Sequence, residues 1–154
     1  MINCLIVDDE PIARKGILEY IDQVEFLHAA AVCKNAIEAS SALQNNHIDL
    51  VFLDIQMPKI TGIDFLKNLS NPPLVIFTTA FPEYAIEGYE LNVMDYLLKP
   101  ISFERFFKAV LKVQSYLSLR LRHEVTQVEN YFFIKSNQNI EKVLIEHILY
   151  VEAL

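Results

Sequence analysis

Residues 50–54 read Leu50-Val51-Phe52-Leu53-Asp54, an uninterrupted apolar run that ends at a carboxylate. A run this short, with no polar position inside it, is typical of a strand buried on both faces of a parallel sheet. Similar runs recur along the chain, each ending at polar residues: Cys4-Leu5-Ile6-Val7 before Asp8-Asp9, Leu74-Val75-Ile76-Phe77 shortly before Thr79, and Asp95-Tyr96-Leu97-Leu98 before Lys99-Pro100. With a further strand over 26–33, strand and helix alternate five times. This pattern predicts an α/β fold with a five-stranded, doubly wound parallel sheet.

The stretches between the strands carry helix signals. Pro11 suits the first turn of a helix, because the donor it lacks would be unpaired there anyway. Asn35 and Ser102 are candidate N-caps for the second and last helices. We expect Gly62 to supply a turn before a short third helix, and a further helix to lie over residues 84–90.

The polar residues at the strand ends predict a functional site. In an open α/β sheet, ligands bind beyond the carboxyl ends of the strands. Three carboxylates, a hydroxyl and an ammonium would meet there, which suits a hard divalent cation and a phosphoryl group. Helix-end acids or ordinary ion pairs could explain any two of these residues, but they do not explain all five. The five residues at the strand ends are Asp8, Asp9, Asp54, Thr79 and Lys99.

Composition limits the other possibilities. The 154 residues allow one domain and a fragment of another, and the net charge of −7 disfavours nucleic-acid binding by this chain alone. Cys4 and Cys33 lie in apolar runs, so we expect reduced core thiols and a cytoplasmic protein. The first residues include no basic leader, and no apolar run approaches the roughly 18 residues of a membrane span. We therefore expect neither a signal peptide nor membrane association.

Four segments resemble the receiver domain of bacterial two-component response regulators, which has a flavodoxin-like fold. They are residues 5–11 (LIVDDEP), residues 53–58 (LDIQMP), Thr79-Ala80, and residues 95–100 (DYLLKP), and the resemblance covers residues 1–118. It implies that Asp54 accepts a phosphoryl group from a sensor histidine kinase and that Mg²⁺ is the cofactor. It further implies these roles: Asp9, Asp54 and the backbone carbonyl of Gln56 as metal ligands, Asp8 holding a coordinated water, Lys99 pairing with the phosphoryl group, Thr79 and Tyr96 as switch residues, and Pro100 after a cis bond.

The C-terminal part suggests a second domain. Residues 119–130 are either a linker or a helical extension, and two strand-like runs over 131–135 and 140–145 predict a hairpin. Residues 131–154 resemble the beginning of a LytTR DNA-binding domain. This resemblance implies a longer natural protein that binds DNA and regulates transcription, whereas this chain alone should not bind DNA specifically. The sequence leaves open whether the fragment packs against its own receiver or against another chain.

One alternative is a phosphatase of the haloacid dehalogenase type, which also forms an aspartyl phosphate beside Mg²⁺. Such enzymes need a second acid two residues after the nucleophile, and here that position is Gln56, which cannot transfer a proton. A second alternative is an interaction-only pseudo-receiver, which the complete set of site residues disfavours. We therefore expect a phosphoacceptor rather than a turnover enzyme, with activation producing a homodimer through the helix over 84–90, the fifth strand and the last helix.

Overall fold

The computed structural model describes residues 1–82, 91, 93–126, 131–136 and 139–144. The chain divides into two compact units, residues 1–114 and residues 115–154. The helix predicted over 84–90 lies outside the described residues, as do residues 127–130 and 145–154. Within the described part of the chain, no helix combines the length and the apolar character needed to cross a membrane.

The first unit contains the predicted five-stranded parallel sheet. Its strands are paired in the order β2-β1-β3-β4-β5, and every pairing is parallel. The order reverses between β1 and β3, which is the topological switch point where α/β sheets of this kind place their sites. The predicted fold class is therefore confirmed. The strands are β1 (Ile2–Val7), β2 (Leu27–Cys33), β3 (Leu50–Asp54), β4 (Leu74–Thr79) and β5 (Asp95–Leu98).

Helices cover both faces of the sheet, and their N-terminal signals work as the sequence predicts. Pro11 occupies the first turn of its helix, and the side chain of Asn35 accepts a hydrogen bond from the backbone N–H of Glu38 at 2.9 Å. The hydroxyl of Ser102 accepts one from the N–H of Arg105 at 3.3 Å. The described helices are α1 (Pro11–Ile21), α2 (Ala36–Asn45), α3 (Gly62–Lys67) and α4 (Phe103–Thr126).

Alternate strand residues enter two separate cores. One face of the sheet packs against α2 and α3, with Val7, Leu53 and Phe77 in a buried cluster. On the other face, Phe52 stacks on Phe106 of α4 with ring centroids 5.3 Å apart, and both rings are fully buried. Because successive side chains of a strand point to opposite faces, these two cores fix the register of the strands. Because the strands are parallel, their carboxyl ends all lie at the same edge of the sheet.

The turn after β3 corrects one prediction. Gly62 does not supply the turn through backbone freedom; the left-handed residue is Lys59, with φ of 72°. Gly62 instead begins α3 in close approach to β3. A Cβ atom added at Gly62 would lie 2.1 Å from the carbonyl oxygen of Asp54, so only glycine fits at this position.

The C-terminal part includes the predicted hairpin. Strands β6 (Tyr131–Ser136) and β7 (Asn139–Leu144) pair in an antiparallel register from Tyr131 opposite Leu144 to Ser136 opposite Asn139. Helix α4 continues through Thr126. Of the two interpretations of residues 119–130, residues 119–126 therefore fit the helical extension.

Candidate functional site

The three predicted carboxylates meet at the carboxyl edge of the sheet. Asp8 directly follows β1, Asp9 is the next residue, and Asp54 is the last residue of β3. One carboxylate oxygen from each of them lies within 4.8 Å of the others. Asp8 is 0% exposed and Asp54 is 2% exposed. Residues more than forty positions apart in sequence therefore form one buried acidic cluster.

The ammonium of Lys99 lies inside this cluster. Its Nζ is 2.8 Å from Oδ2 of Asp8 and 2.8 Å from Oδ1 of Asp54. A third carboxylate, that of Glu10, lies 3.3 Å from the same nitrogen. The backbone N–H of Lys99 donates to the carbonyl of Thr79 at 2.7 Å, and the Lys99–Pro100 peptide bond is cis. The sequence reasoning gave Glu10 no role in the site, although its position directly after two aspartates was a usable signal.

The site contains more carboxylates than cationic side chains. Burial raises the pKa of Asp54 to about 6; the hydrogen bond and charge of Lys99 oppose the rise, and the charges of Asp8 and Asp9 add to it. Burial would lower the pKa of Lys99, but the neighbouring carboxylates of Asp54 and Asp8 raise it above the ordinary value. One permanent cation therefore stands among several carboxylates, and the remaining negative charge favours a further cation.

The donor atoms also fit a cation. Oδ1 of Asp8 accepts the backbone N–H of Glu10 at 2.9 Å. Oδ2 of Asp8 is close to Lys99 but, among the described residues, has no hydrogen bond of acceptable geometry. A buried carboxylate oxygen with spare acceptor capacity beside two further carboxylates suits a hard divalent ion, which takes oxygen ligands and keeps several waters. Gln56 lies in the loop directly after β3 with an exposed side chain.

The hydroxyl and the aromatic residue form a neighbouring group. Thr79 ends β4 and is fully buried, and its Oγ1 accepts the backbone N–H of Phe81 at 3.1 Å. The hydroxyl of Tyr96, on β5, donates to the backbone carbonyl of the same Phe81. Phe81 therefore connects the two predicted switch residues. Sequence reasoning missed it, since a backbone contact leaves no residue-type signal.

The family model described as the response regulator receiver domain matches residues 4–111. The chain belongs to this family. Receiver domains are phosphoacceptor signalling domains of two-component systems rather than turnover enzymes; they interact with sensor histidine kinases and bind Mg²⁺ at an acidic pocket. In this receiver domain the carboxylates of Asp8, Asp9 and Asp54 lie close enough together that they could hold a metal ion.

Curated relatives agree with this assignment. The chain is 36% identical over 154 residues to an uncharacterized response regulatory protein of Yersinia pestis, covering 92% of this chain and 64% of the relative. It is 40% identical over 116 residues to the transcriptional regulatory protein BtsR of Escherichia coli K12, covering 74% of this chain and 48% of the relative. The chain thus spans between about half and two thirds of the length of these relatives.

Solved structures confirm the receiver fold. The response regulatory domain of protein mrkE from Klebsiella pneumoniae aligns with a TM-score of 0.71 at 27% identity, covering 77% of this chain and 99% of that domain. The REC domain of AraT, a response regulator from Geobacillus stearothermophilus, aligns with a TM-score of 0.70 at 36% identity, covering 77% of this chain and 97% of that domain.

Proposed function

We propose that this receiver accepts a phosphoryl group on Asp54 from a sensor histidine kinase in the cytoplasm. The observation that carries the proposal is the position of the Asp54 carboxylate, buried at the end of β3 beside two acids and 2.8 Å from the Lys99 ammonium. Phosphoryl transfer needs positioning and charge neutralisation more than covalent machinery. The buried site supplies the positioning and one neutralising ammonium, and a bound cation would supply the remaining positive charge.

Each remaining site residue receives a role under this proposal. Asp9, Asp54 and the backbone carbonyl of Gln56 would ligate Mg²⁺, and Asp8 would hold one of its waters. When bound, the ion offsets negative charge on the phosphoryl oxygens. The Lys99 ammonium pairs with one phosphoryl oxygen, and the Thr79 hydroxyl turns toward another. The cis peptide before Pro100 belongs to the turn that presents Lys99 to the site.

A groove beside the site supports docking of the kinase. It has a volume of about 430 Å³ and lies between α1 and the segment that follows β5. Glu10 and Lys99 line it next to the phosphoacceptor, and Ile12, at 87% exposure, stands at its rim. A partner that reaches Asp54 from this side would contact the groove and the exposed Ile12.

We further propose that the natural protein controls transcription through a LytTR DNA-binding domain that begins near residue 131. The relative named as a transcriptional regulatory protein supports regulation, and the β6–β7 hairpin is compatible with the start of a mostly β module. DNA binding would belong to the full-length protein only. A chain cut after Leu117 should still fold as a receiver and accept a phosphoryl group.

Activation is proposed to produce a homodimer. Four large apolar side chains of β5 and of the part of α4 up to residue 114 are between 36% and 45% exposed, which leaves an uncovered surface on the receiver. Exposed apolar surface of this kind is a partner site in many soluble proteins. The four side chains are those of Leu98, Phe103, Phe107 and Leu111.

The haloacid dehalogenase alternative receives no support from these observations, because Gln56 still occupies the position where a catalytic acid is needed.

The test is phosphorylation by a small donor. With Mg²⁺ and acetyl phosphate, the chain should gain the mass of one phosphoryl group in a hydroxylamine-labile form. Asp54→Asn should abolish the gain. Asp95→Asn, which changes another aspartate on the same sheet, is the matched control and should retain it. A phosphoryl mass that persists in Asp54→Asn would overturn the assignment.

A further inference from the structure

A continuous series of hydrogen bonds leads from Thr79 to helix α4. Oγ1 of Thr79 accepts from the N–H of Phe81, and the carbonyl of Phe81 accepts from the hydroxyl of Tyr96. The carbonyl of Tyr96 in turn accepts from Nη2 of Arg105 at 2.9 Å. Tyr96 is therefore held at its side-chain hydroxyl by one segment and at its backbone by another.

Arg105 belongs to a compact charged group on β5 and α4, the Asp95 cluster, which consists of Asp95, Arg105 and Lys112. Both terminal nitrogens of Arg105 bind the carboxylate of Asp95, Nη1 at 3.1 Å. Nζ of Lys112 binds the same carboxylate at 2.7 Å. The Asp95 side chain is only 8% exposed, so a nearly buried carboxylate is held by two cations.

The cluster fixes the backbone of Tyr96 from two directions. Oδ1 of Asp95 accepts the N–H of Tyr96 at 2.8 Å, while Arg105 donates to the carbonyl of the same residue. Among the described strands, β5 lies at the edge of the sheet, so within that part of the chain the sheet pairs its backbone on one side only. Asp95 and Arg105 thus act on the outer side of the strand as a short side-chain substitute for a neighbouring strand.

The surroundings of Asp95 and Arg105 favour the charged forms of both groups. Burial would raise the pKa of Asp95, but its hydrogen bonds to Arg105 and Lys112 bring it below the ordinary value. The bond to Asp95 raises the pKa of Arg105 above its ordinary value. Bidentate arginine–carboxylate pairs are also geometrically specific, so the orientation of the guanidinium toward Tyr96 is fixed.

We propose that Arg105 is a positioning residue of the switch, which holds the Tyr96 backbone so that the aromatic side chain alone responds to Thr79. This inference rests on the proposed function. When the Thr79 hydroxyl turns toward a phosphoryl oxygen, Phe81 loses the acceptor of its N–H, and the Phe81 carbonyl that holds the Tyr96 hydroxyl is released. A fixed backbone converts that release into a movement of the ring, whereas a loose strand would absorb it.

Lys112 provides the matched control. It contacts the same carboxylate as Arg105 from the same helix, but the bond to the Tyr96 carbonyl comes from Arg105. Lys112→Met and Arg105→Met each remove one cation from Asp95 and keep an unbranched side chain. Only Arg105→Met removes the hydrogen bond to the Tyr96 carbonyl, whereas the loss of a cation beside Asp95 is common to both variants.

The experiment follows the tyrosine ring by NMR. The chain carries ¹³C-labelled tyrosine at its 7 tyrosine positions, and the Tyr96 signal is assigned by its loss in Tyr96→Phe. Adding Mg²⁺ and beryllofluoride, a mimic of the phosphoryl group, should shift this signal in the wild type and in Lys112→Met. Arg105→Met should lose at least about half of the shift, while its phosphoryl uptake from acetyl phosphate stays within about twofold of wild type.

Arg105→Lys keeps the charge but not the fork, so it should give an intermediate shift, and it replaces Arg105→Met in the comparison if the latter fails to fold. An unchanged Tyr96 shift in the folded Arg105 variants, an equal loss in Lys112→Met, or no shift in a wild type that takes up phosphate would overturn the inference. Failure of the wild type to accept a phosphoryl group on Asp54 would instead overturn the proposed function.

Discussion

Asp54 and Asp95 are two carboxylates of the same sheet, both largely removed from water, and their surroundings are opposite. Asp54 shares one lysine with Asp8, and Asp9 lies nearby. Asp95 forms ion pairs with two cations, Arg105 and Lys112. For both groups burial is the largest influence and raises the pKa, yet the result is a raised pKa at Asp54 and a lowered pKa at Asp95.

The difference shows that the balance of charged partners, rather than burial, decides whether the pKa of a buried carboxylate in this sheet is raised or lowered. A carboxylate with surplus cations is satisfied within the fold and has no reason to bind an ion. A carboxylate with too few cations is destabilised when charged, so an added cation or a change in its own charge relieves that cost.

The largest effect should appear in metal binding. Asp9→Asn removes an expected direct ligand of Mg²⁺. Changing a residue that only contacts a ligand typically weakens metal binding by about tenfold to a hundredfold, so the loss in Asp9→Asn should be larger than that. Asp8→Asn should cost less, because Asp8 is expected to act through water. Asp95→Asn should leave the affinity unchanged. Isothermal titration of Mg²⁺ into the three variants checks the order, and equal, small losses at Asp8 and Asp9 would mean that these acids are only helix-end charges.

The second effect concerns stability at the Asp95 cluster. Asp95→Asn leaves Arg105 and Lys112 without their shared anion, and the free energy of unfolding should fall by about 1–2 kcal/mol. The loss stays below that of a fully buried pair because Arg105 and Lys112 are 40% and 58% exposed and can be hydrated. Urea unfolding at neutral pH measures it. An unchanged midpoint would contradict the view that this carboxylate is structurally satisfied by its cations.

The third effect has the opposite sign and depends on pH. The folded pKa of Asp54, about 6, exceeds the ordinary 3.8, so between these values the folded state retains a proton that the unfolded state has lost. Stability from this group is therefore present below about pH 4 and is lost as pH rises through about 6.

Asp54→Asn removes that dependence. In metal-free buffer the variant should exceed wild type by about 1–3 kcal/mol in free energy of unfolding above pH 6, and the difference should vanish toward pH 4. Urea titrations across this range, with a chelator present, provide the measurement. A variant less stable than wild type at neutral pH would show that the Lys99 pair outweighs burial and would remove the contrast between the two aspartates.

The smallest effect distinguishes two adjacent threonines. Thr78 and Thr79 are both fully buried on β4, but Oγ1 of Thr78 has no hydrogen-bond partner in the described part of the chain, while Oγ1 of Thr79 accepts from Phe81. Thr78→Val should stabilise the fold by up to about 1 kcal/mol, and Thr79→Val should destabilise it by a similar amount. Thermal unfolding of the two variants decides, and destabilisation by Thr78→Val would reveal a partner for that hydroxyl.

Much of this protein follows from the sequence alone. Apolar runs bounded by polar residues predicted most of the strands, because strands buried on both faces lack polar positions, and the alternation of strands with helices predicted their parallel arrangement. The polar residues after those runs predicted which side chains would meet at the sheet edge, and the structure brings Asp8, Asp9, Asp54 and Lys99 together. Caps at Asn35 and Ser102 were equally local, since a cap and its helix are adjacent in sequence.

Other features were decided only by the tertiary structure. Asp95 was visible as part of a strand, but nothing in the sequence showed that Arg105 and Lys112 would both reach it. Glu10 meets Lys99 across 89 positions, and Phe81 joins Thr79 to Tyr96 through backbone atoms that carry no residue identity. Gly62 is required by the approach of the Asp54 carbonyl rather than by its own φ. Periodicity and caps are properties of neighbouring residues, whereas these contacts depend on how the packed elements set distances between groups remote in the chain.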